Sequence, residues 1–205
     1  MQQTFTPRLN LAGAVFPQTG LLRDALLVLA CTGLMALSAQ VTIRLLPVPI
    51  TGQTFVVLLT GAALGRTRGV AVMLAYIAEG LAGLPVFANT ASAWTPNASF
   101  GVPAIMGPTA GYLAGFVAAA FVTGWLAEKG WDRVPWRWAV AMLLGNLAIY
   151  VPGLLVLQSF VGPDRVFALG LQPFLVGDIL KLLLAAAALP AVWRFLARRS
   201  TSPDR

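Results

Sequence analysis

Long apolar runs, separated by short polar or basic turns, recur along this chain from Leu21 to Leu196. Runs such as "GYLAGFVAAAFVTGWLA" are apolar throughout, without the period-two alternation of an outer-membrane barrel strand. A helix needs roughly 20 apolar residues to cross a bilayer. On that measure six spans are expected, at about 22–41, 54–65, 69–84, 108–127, 138–160 and 173–197. The second is short, and it follows "LPVPITGQT", where Pro47 and Pro49 favour an extended or broken backbone. Irregular backbone at membrane depth persists only where protein covers it or where it lines a cavity. "PVPITGQT" therefore reads either as a cavity-lining re-entrant stretch or as an ordinary external loop. The expected fold is all-α, a single integral membrane domain over residues 1–205 with six transmembrane helices.

Composition agrees with that class. The chain is 58% hydrophobic and 10% charged, with a mean hydropathy of +0.80; a soluble domain carries about 25% charged residues. The net charge of +7 does not suggest nucleic acid, because the basic residues sit at the ends of apolar runs and form no stripe interleaved with aromatics. They report topology instead. Arg8, Arg23, Arg66, Arg68, Lys129, Arg133, Arg137, Arg194, Arg198, Arg199 and Arg205 fall on one side of the six spans, and Arg44 and Arg165 on the other. The positive-inside rule then places both termini in the cytoplasm, with 1–20 and 198–205 as cytoplasmic segments of a multi-pass protein in the bacterial inner membrane. Segment 1–20 lacks the apolar core and cleavage site of a signal peptide. With Cys31 the sole cysteine and no histidine, neither an internal disulfide nor a zinc or haem site is expected. No cofactor is expected.

Candidate chemistry gathers at the less basic side. Asp178 and Lys181 lie three residues apart in the first turns of the sixth span, so they share a helix face. Ionisable groups in a membrane normally face the bundle interior or an aqueous cavity. The pair is either a helix staple or the polar floor of a ligand site. Tyr76 and Glu79 lie one turn apart near the end of the third span, where Glu79 also reads as a snorkelling interface residue. Asn146 falls nearer mid-membrane, as a site residue or as helix–helix glue. Gln53 comes from the irregular stretch. The loop "PVFANTASAWTPNASFGVPAIMG" is long and uncharged and holds Phe87, Trp94 and Phe100, which suits a lid over an amphipathic ligand or a loop lying on the lipid interface. Gly61 and Gly65, Gly107 and Gly111, and Gly111 and Gly115 form GxxxG spacings, frequent in membrane helices and weak as signs of a specific partner. There is no P-loop, HExxH or GxSxG, and no histidine to serve as a base, so ligand capture is favoured over catalysis.

The stretches "ALSAQVTIRLLPVPITGQTFVVLLTGAALG", "GLPVFA", "GPTAGYLAGF", "LGN" and "FLVGDILKLLLAA", in that order over about 36–188, resemble the BioY family. Its members are the biotin-specific substrate-binding (S) components of energy-coupling factor (ECF) transporters. The resemblance implies an S-component-like bundle of six helices that binds biotin from outside. It implies that Asp178 and Lys181 contact biotin, with Asn89 as the nearest match to an asparagine used in the family's loop. Some members carry an arginine in that loop. This chain has none between Arg68 and Lys129, which leaves Lys181 or loop amides to meet the carboxylate. The implied partners are biotin, the lipid bilayer, and an ECF module of a membrane scaffold subunit and two ABC ATPases. The AxxxA contact motif of the first helix is replaced by a looser face of Thr32, Gly33, Ala36 and Ala39, so a solitary or homo-oligomeric mode stands beside coupling to the module. The competing readings are an S component for another small vitamin, a membrane enzyme acting on lipid or isoprenoid, and a non-catalytic assembly subunit.

Overall fold

The computed structural model describes residues 11–15 and 20–200. Arg8, Arg205, most of segment 1–20 and the last residues of the expected tail lie outside them. Each expected span falls on a helix: α2 (Leu21–Gln40), α3 (Gln53–Leu64), α4 (Arg66–Leu81), α5 (Ala110–Glu128), α6 (Pro135–Val161) and α8 (Gln172–Ser200). Two five-residue helices join them, α1 (Leu11–Val15) and α7 (Val166–Gly170). Among the described residues, four stretches are long and apolar enough to cross a membrane: α2, α5, α6 and Val166–Arg194. Helix α3 is apolar but only 12 residues long. That is roughly 18 Å of helix against a hydrocarbon core of about 30 Å.

The irregular lead-in to α3 is a small hairpin. Strand β1 (Thr42–Ile43) pairs antiparallel with β2 (Ile50–Thr51), with Thr42 opposite Thr51 and Ile43 opposite Ile50. The intervening prolines leave the sheet after one short ladder, and Pro47 and Val48 turn inward and are buried.

Close backbone approach organises the bundle, and glycine makes it feasible. A Cβ on Gly111 of α5 would sit 2.2 Å from the Pro152 carbonyl oxygen of α6, and one on Gly115 would sit 2.7 Å from Ile149 Cα. Gly61 of α3 lies equally close to Ala120 and Thr123 of α5. The GxxxG spacings thus serve packing within the chain. Pro152 lies inside α6 and supplies no N–H. Around these contacts sits a core of Val57, Leu58, Val72, Met73, Ala119, Ala120, Trp138 and Met142. The outward faces stay apolar: Leu22, Leu26 and Leu37 on α2, Leu147 and Leu155 on α6, and Val176, Ile179 and Leu183 on α8 are exposed. An apolar exterior suits lipid rather than water.

Candidate functional site

A cavity of about 250 Å³ opens at one end of the bundle. The chain direction explains its walls: α3, α5 and α8 start there, and α4 and α6 finish there. Leu45–Pro49, Thr51, Gln53 and Thr54 form one side, and Phe87–Asn89, Ala91 and Thr95–Ala98 another. Tyr112, Leu113, Phe116, Ile149, Tyr150 and Phe174 contribute from α5, α6 and α8. Among these lining residues none carries a formal charge. Tyr112, Tyr150 and Phe174 form an aromatic cluster with centroids 6.3–6.4 Å apart, Tyr112 and Phe174 stacked and Tyr150 edge-on to both. The Tyr112 hydroxyl donates to Gly170 O at 2.9 Å, fixing its ring against α7.

Asp178 and Lys181 lie just behind this wall. They form an i,i+3 ion pair, Nζ to Oδ1 3.3 Å, with side chains 9% and 21% exposed. Lys181 Nζ also donates to Thr51 O at 3.1 Å and Thr54 Oγ1 at 2.8 Å. Asp178 Oδ2 accepts from the Tyr150 hydroxyl. Each charge therefore reaches the cavity through a hydroxyl that lines it, Asp178 through Tyr150 and Lys181 through Thr54.

Gln53 and Tyr76 form a second polar node. Gln53 Nε2 donates to Tyr76 Oη at 2.7 Å, and Tyr76 Oη donates to Val86 O at 2.8 Å. Both side chains are buried and both line the cavity. Asn89 lines it too, from a short 3-10 turn over Ala88–Thr90 in which Asn89 (φ 58°) and Thr90 (φ 57°) are both left-handed. Glu79 is half-buried and outside the cavity wall. Asn146 is buried within α6, its Oδ1 without a hydrogen-bond partner among the described residues, and it does not line the cavity.

The long loop covers the cavity differently from the expected aromatic lid. Phe87 alone of its three aromatics turns inward, packed on Tyr76 at 5.3 Å and against Gly80. Trp94 is 54% exposed and donates its Nε1–H to Leu81 O at 2.9 Å. Phe100 packs on Phe160 at 5.1 Å, away from the cavity. The covering surface is Ala88, Asn89, Ala91, Thr95, Pro96, Asn97 and Ala98, small residues with amide and hydroxyl groups. The bond from the Trp94 indole to the end of α4 accounts for the difference, because it holds that ring on the outside.

Three lining residues escape a sequence reading based on ionisable groups: Tyr112, Tyr150 and Thr54. Tyr150 had a visible signal, since it lies one turn beyond Asn146 in an otherwise apolar span.

The BioY family model matches residues 4–198, nearly the whole chain. The chain belongs to the BioY family. Among its relatives is the biotin transporter BioY of Thermotoga maritima, 38% identical over 157 residues, covering 76% of this chain and 86% of that protein. The probable biotin transporter BioY of Pyrococcus horikoshii is 36% identical over 159 residues, covering 78% and 89%. Among solved structures, the chain is similar to the S-component for biotin from an ECF-type ABC transporter, with a TM-score of 0.69 at 21% identity over 84% of this chain and 92% of that one. That likeness establishes a shared fold. A membrane location follows from membership of a transporter family together with several long apolar helices.

Proposed function

We propose that this protein captures biotin in the cavity described above, as the S component of an ECF transporter. One observation carries the reading: a charge pair held behind two cavity-lining hydroxyls in a chain of the BioY family. Biotin carries a ureido ring with two N–H donors and one carbonyl, an apolar bicycle and an acidic tail. The Tyr150 hydroxyl spends its proton on Asp178, so its lone pairs are left to accept from a ligand N–H. The Thr54 hydroxyl accepts from Lys181, so its own proton is left to donate to a ligand carbonyl. An acceptor and a donor on one wall complement a cyclic urea. The Tyr112–Tyr150–Phe174 cluster suits the apolar bicycle.

On this reading Asp178, Lys181, Gln53, Tyr76 and Asn89 serve binding, with Glu79 and Asn146 further from the ligand. The acidic tail reaches the mouth, where Asn89 and Asn97 supply amides. The protein has a non-catalytic transport role. Six helices form the bundle in the inner membrane, α3 reaching through only part of its depth, and the cavity opens outward: Arg23, Arg66, Arg68, Lys129, Arg133 and Arg194 lie at the opposite end, and Arg44 and Arg165 at its own. Both termini are then cytoplasmic, facing a module of one scaffold subunit and two ATPases, with self-association as the alternative assembly. Equilibrium binding of labelled biotin to the purified protein tests the reading. Saturable binding at or below micromolar ligand, displaced by unlabelled biotin and not by thiamine or riboflavin, is expected. Absence of saturable binding at micromolar biotin refutes it, and displacement by another vitamin would reassign the ligand.

A further inference from the structure

We infer that Gln40 is a positioning residue that clamps the cavity wall bearing Asn89. Gln40 is the last residue of α2, is exposed, and stands outside the cavity lining. Its side-chain amide bridges both ends of the turn after Val86. Nε2 donates to Phe87 O at 3.1 Å and to Ala36 O at 3.3 Å, while Oε1 accepts from the Thr90 N–H at 3.0 Å. Within the turn, Phe87 N–H donates to Ala91 O at 2.8 Å and Ala91 N–H to Ala88 O at 3.3 Å. Phe87 O and Thr90 N–H point the other way, and Gln40 meets both.

The turn needs such a clamp. Asparagine tolerates the left-handed region, but a β-branched threonine there is an outlier, and Thr90 has φ 57°. Conformations of that kind persist where their surroundings over-determine them, and they cluster at ligand clamps. Phe87, Ala88, Asn89 and Ala91 all line the cavity. If Thr90 relaxed to negative φ, the chain direction after Asn89 would change and the Asn89 amide would leave its place on the wall. Gln40 therefore ties the end of α2 to the position of a candidate ligand-binding amide 49 residues on.

The inference rests on the proposed function only in taking biotin as the reporter ligand, so two readouts are paired. In the ligand-free protein, hydrogen exchange at the Thr90 amide should be at least about tenfold faster in Gln40→Ala, with α5 amides unchanged. The affinity for labelled biotin should fall about tenfold, or about 1.4 kcal/mol, as the hydrogen bonds that hold the turn are lost. Glycine accepts positive φ without penalty, so Gln40→Ala/Thr90→Gly should recover most of the lost affinity. Gln40→Glu keeps the acceptor for Thr90 and loses the donor to Phe87 O, and should fall between. Unchanged Thr90 exchange in Gln40→Ala overturns the clamp, as does lost affinity that Thr90→Gly fails to restore. If the unsubstituted protein binds no biotin, the proposed function falls, and the exchange measurement alone decides the clamp.

Discussion

Replacing Lys181 by methionine keeps the unbranched stem and removes the ammonium. The structure sets what is lost. Lys181 Nζ holds Thr51 O, Thr54 Oγ1 and Asp178 Oδ1 at 3.1, 2.8 and 3.3 Å, so all three of its donors are engaged. Without it the Asp178 carboxylate stays buried with the Tyr150 hydroxyl alone. Removing one partner of a buried pair costs about 3–5 kcal/mol. Asp178→Asn/Lys181→Met removes both charges and leaves an amide oxygen that still accepts from Tyr150. Its stability should return to within about 1 kcal/mol of the parent, since neutral replacement of a buried pair is often tolerated. Affinity should behave otherwise. Each charged residue polarises one cavity-lining hydroxyl, and hydrogen bonds involving charged groups are worth about 1.5–3 kcal/mol each. The single variant should therefore bind biotin about 10–100-fold more weakly and the double variant at least about 100-fold more weakly, at about 1.4 kcal/mol per tenfold. Thermal melting in detergent and equilibrium binding of labelled biotin measure the two quantities on the same samples. A double variant that binds within about threefold of the parent would reduce the pair to a helix staple and refute the reasoning.

Other substitutions probe the wall, the packing and the far end of the bundle. Tyr150→Phe keeps the ring against Tyr112 and Phe174 and deletes the bond to Asp178. Biotin affinity should fall about 10–100-fold, as read by competitive binding, and parent-like affinity would remove Tyr150 from the site. Gly111→Ala drives a methyl into the Pro152 carbonyl and should destabilise by about 1–3 kcal/mol or more. Gly33→Ala meets nothing within 4 Å and should leave the melting temperature unchanged or raised; equal effects at both sites would contradict the close α5–α6 approach. Asp132, between α5 and α6, accepts from Trp193 Nε1–H, and burial raises its carboxyl above the ordinary range despite that bond and Arg133. The folded chain thus holds this proton more tightly than the unfolded chain does. Its contribution to stability is present below the ordinary carboxylate value of about 4 and is lost as pH rises through the raised folded value. Asp132→Asn removes that dependence and keeps an acceptor for Trp193. Its melting temperature should gain on the parent from acid toward neutral pH, and parallel pH profiles would refute the assignment.

The helices were legible because long apolar runs between basic turns admit few other readings, and their boundaries fall within a few residues of expectation. The phase of each helix was not. Helix α5 is apolar on all sides, so Tyr112 and Phe116 look no different in sequence from Phe121 and Trp125, yet the first two are buried and the latter two exposed. The close contacts of Gly111 and Gly115 with α6, and of Ala120 and Thr123 with Gly61, reveal which face turns inward. The ionisable residues stood out for the opposite reason, since charge in an apolar span is conspicuous wherever it points. That rule drew attention to Asp178 and Lys181 and passed over the neutral hydroxyls in front of them. It also favoured Glu79, although chain direction leaves Glu79 half-buried outside the wall and puts Tyr76, three residues earlier, on it. The aromatic loop misled in a similar way. Composition alone cannot say which rings a loop turns inward, and one bond from Trp94 to Leu81 O was enough to hold the indole outside.

The indirect placement of the charges bears on transport as well as on binding. A carrier has to release what it grips. If a ligand carboxylate were the sole partner of a buried cation, its departure would strand that cation at a cost of several kcal/mol, and affinity would be gained at the expense of release. Here Lys181 is paired with Asp178, and both charges take their hydrogen bonds from the protein itself. On the proposed reading, a ligand meets a pair of hydroxyls whose donor and acceptor roles the charge pair assigns in advance. Preorganisation of that kind lowers the ordering cost of binding. On that reading release breaks only the ligand's own bonds, so a single arrangement of residues would serve both capture and discharge.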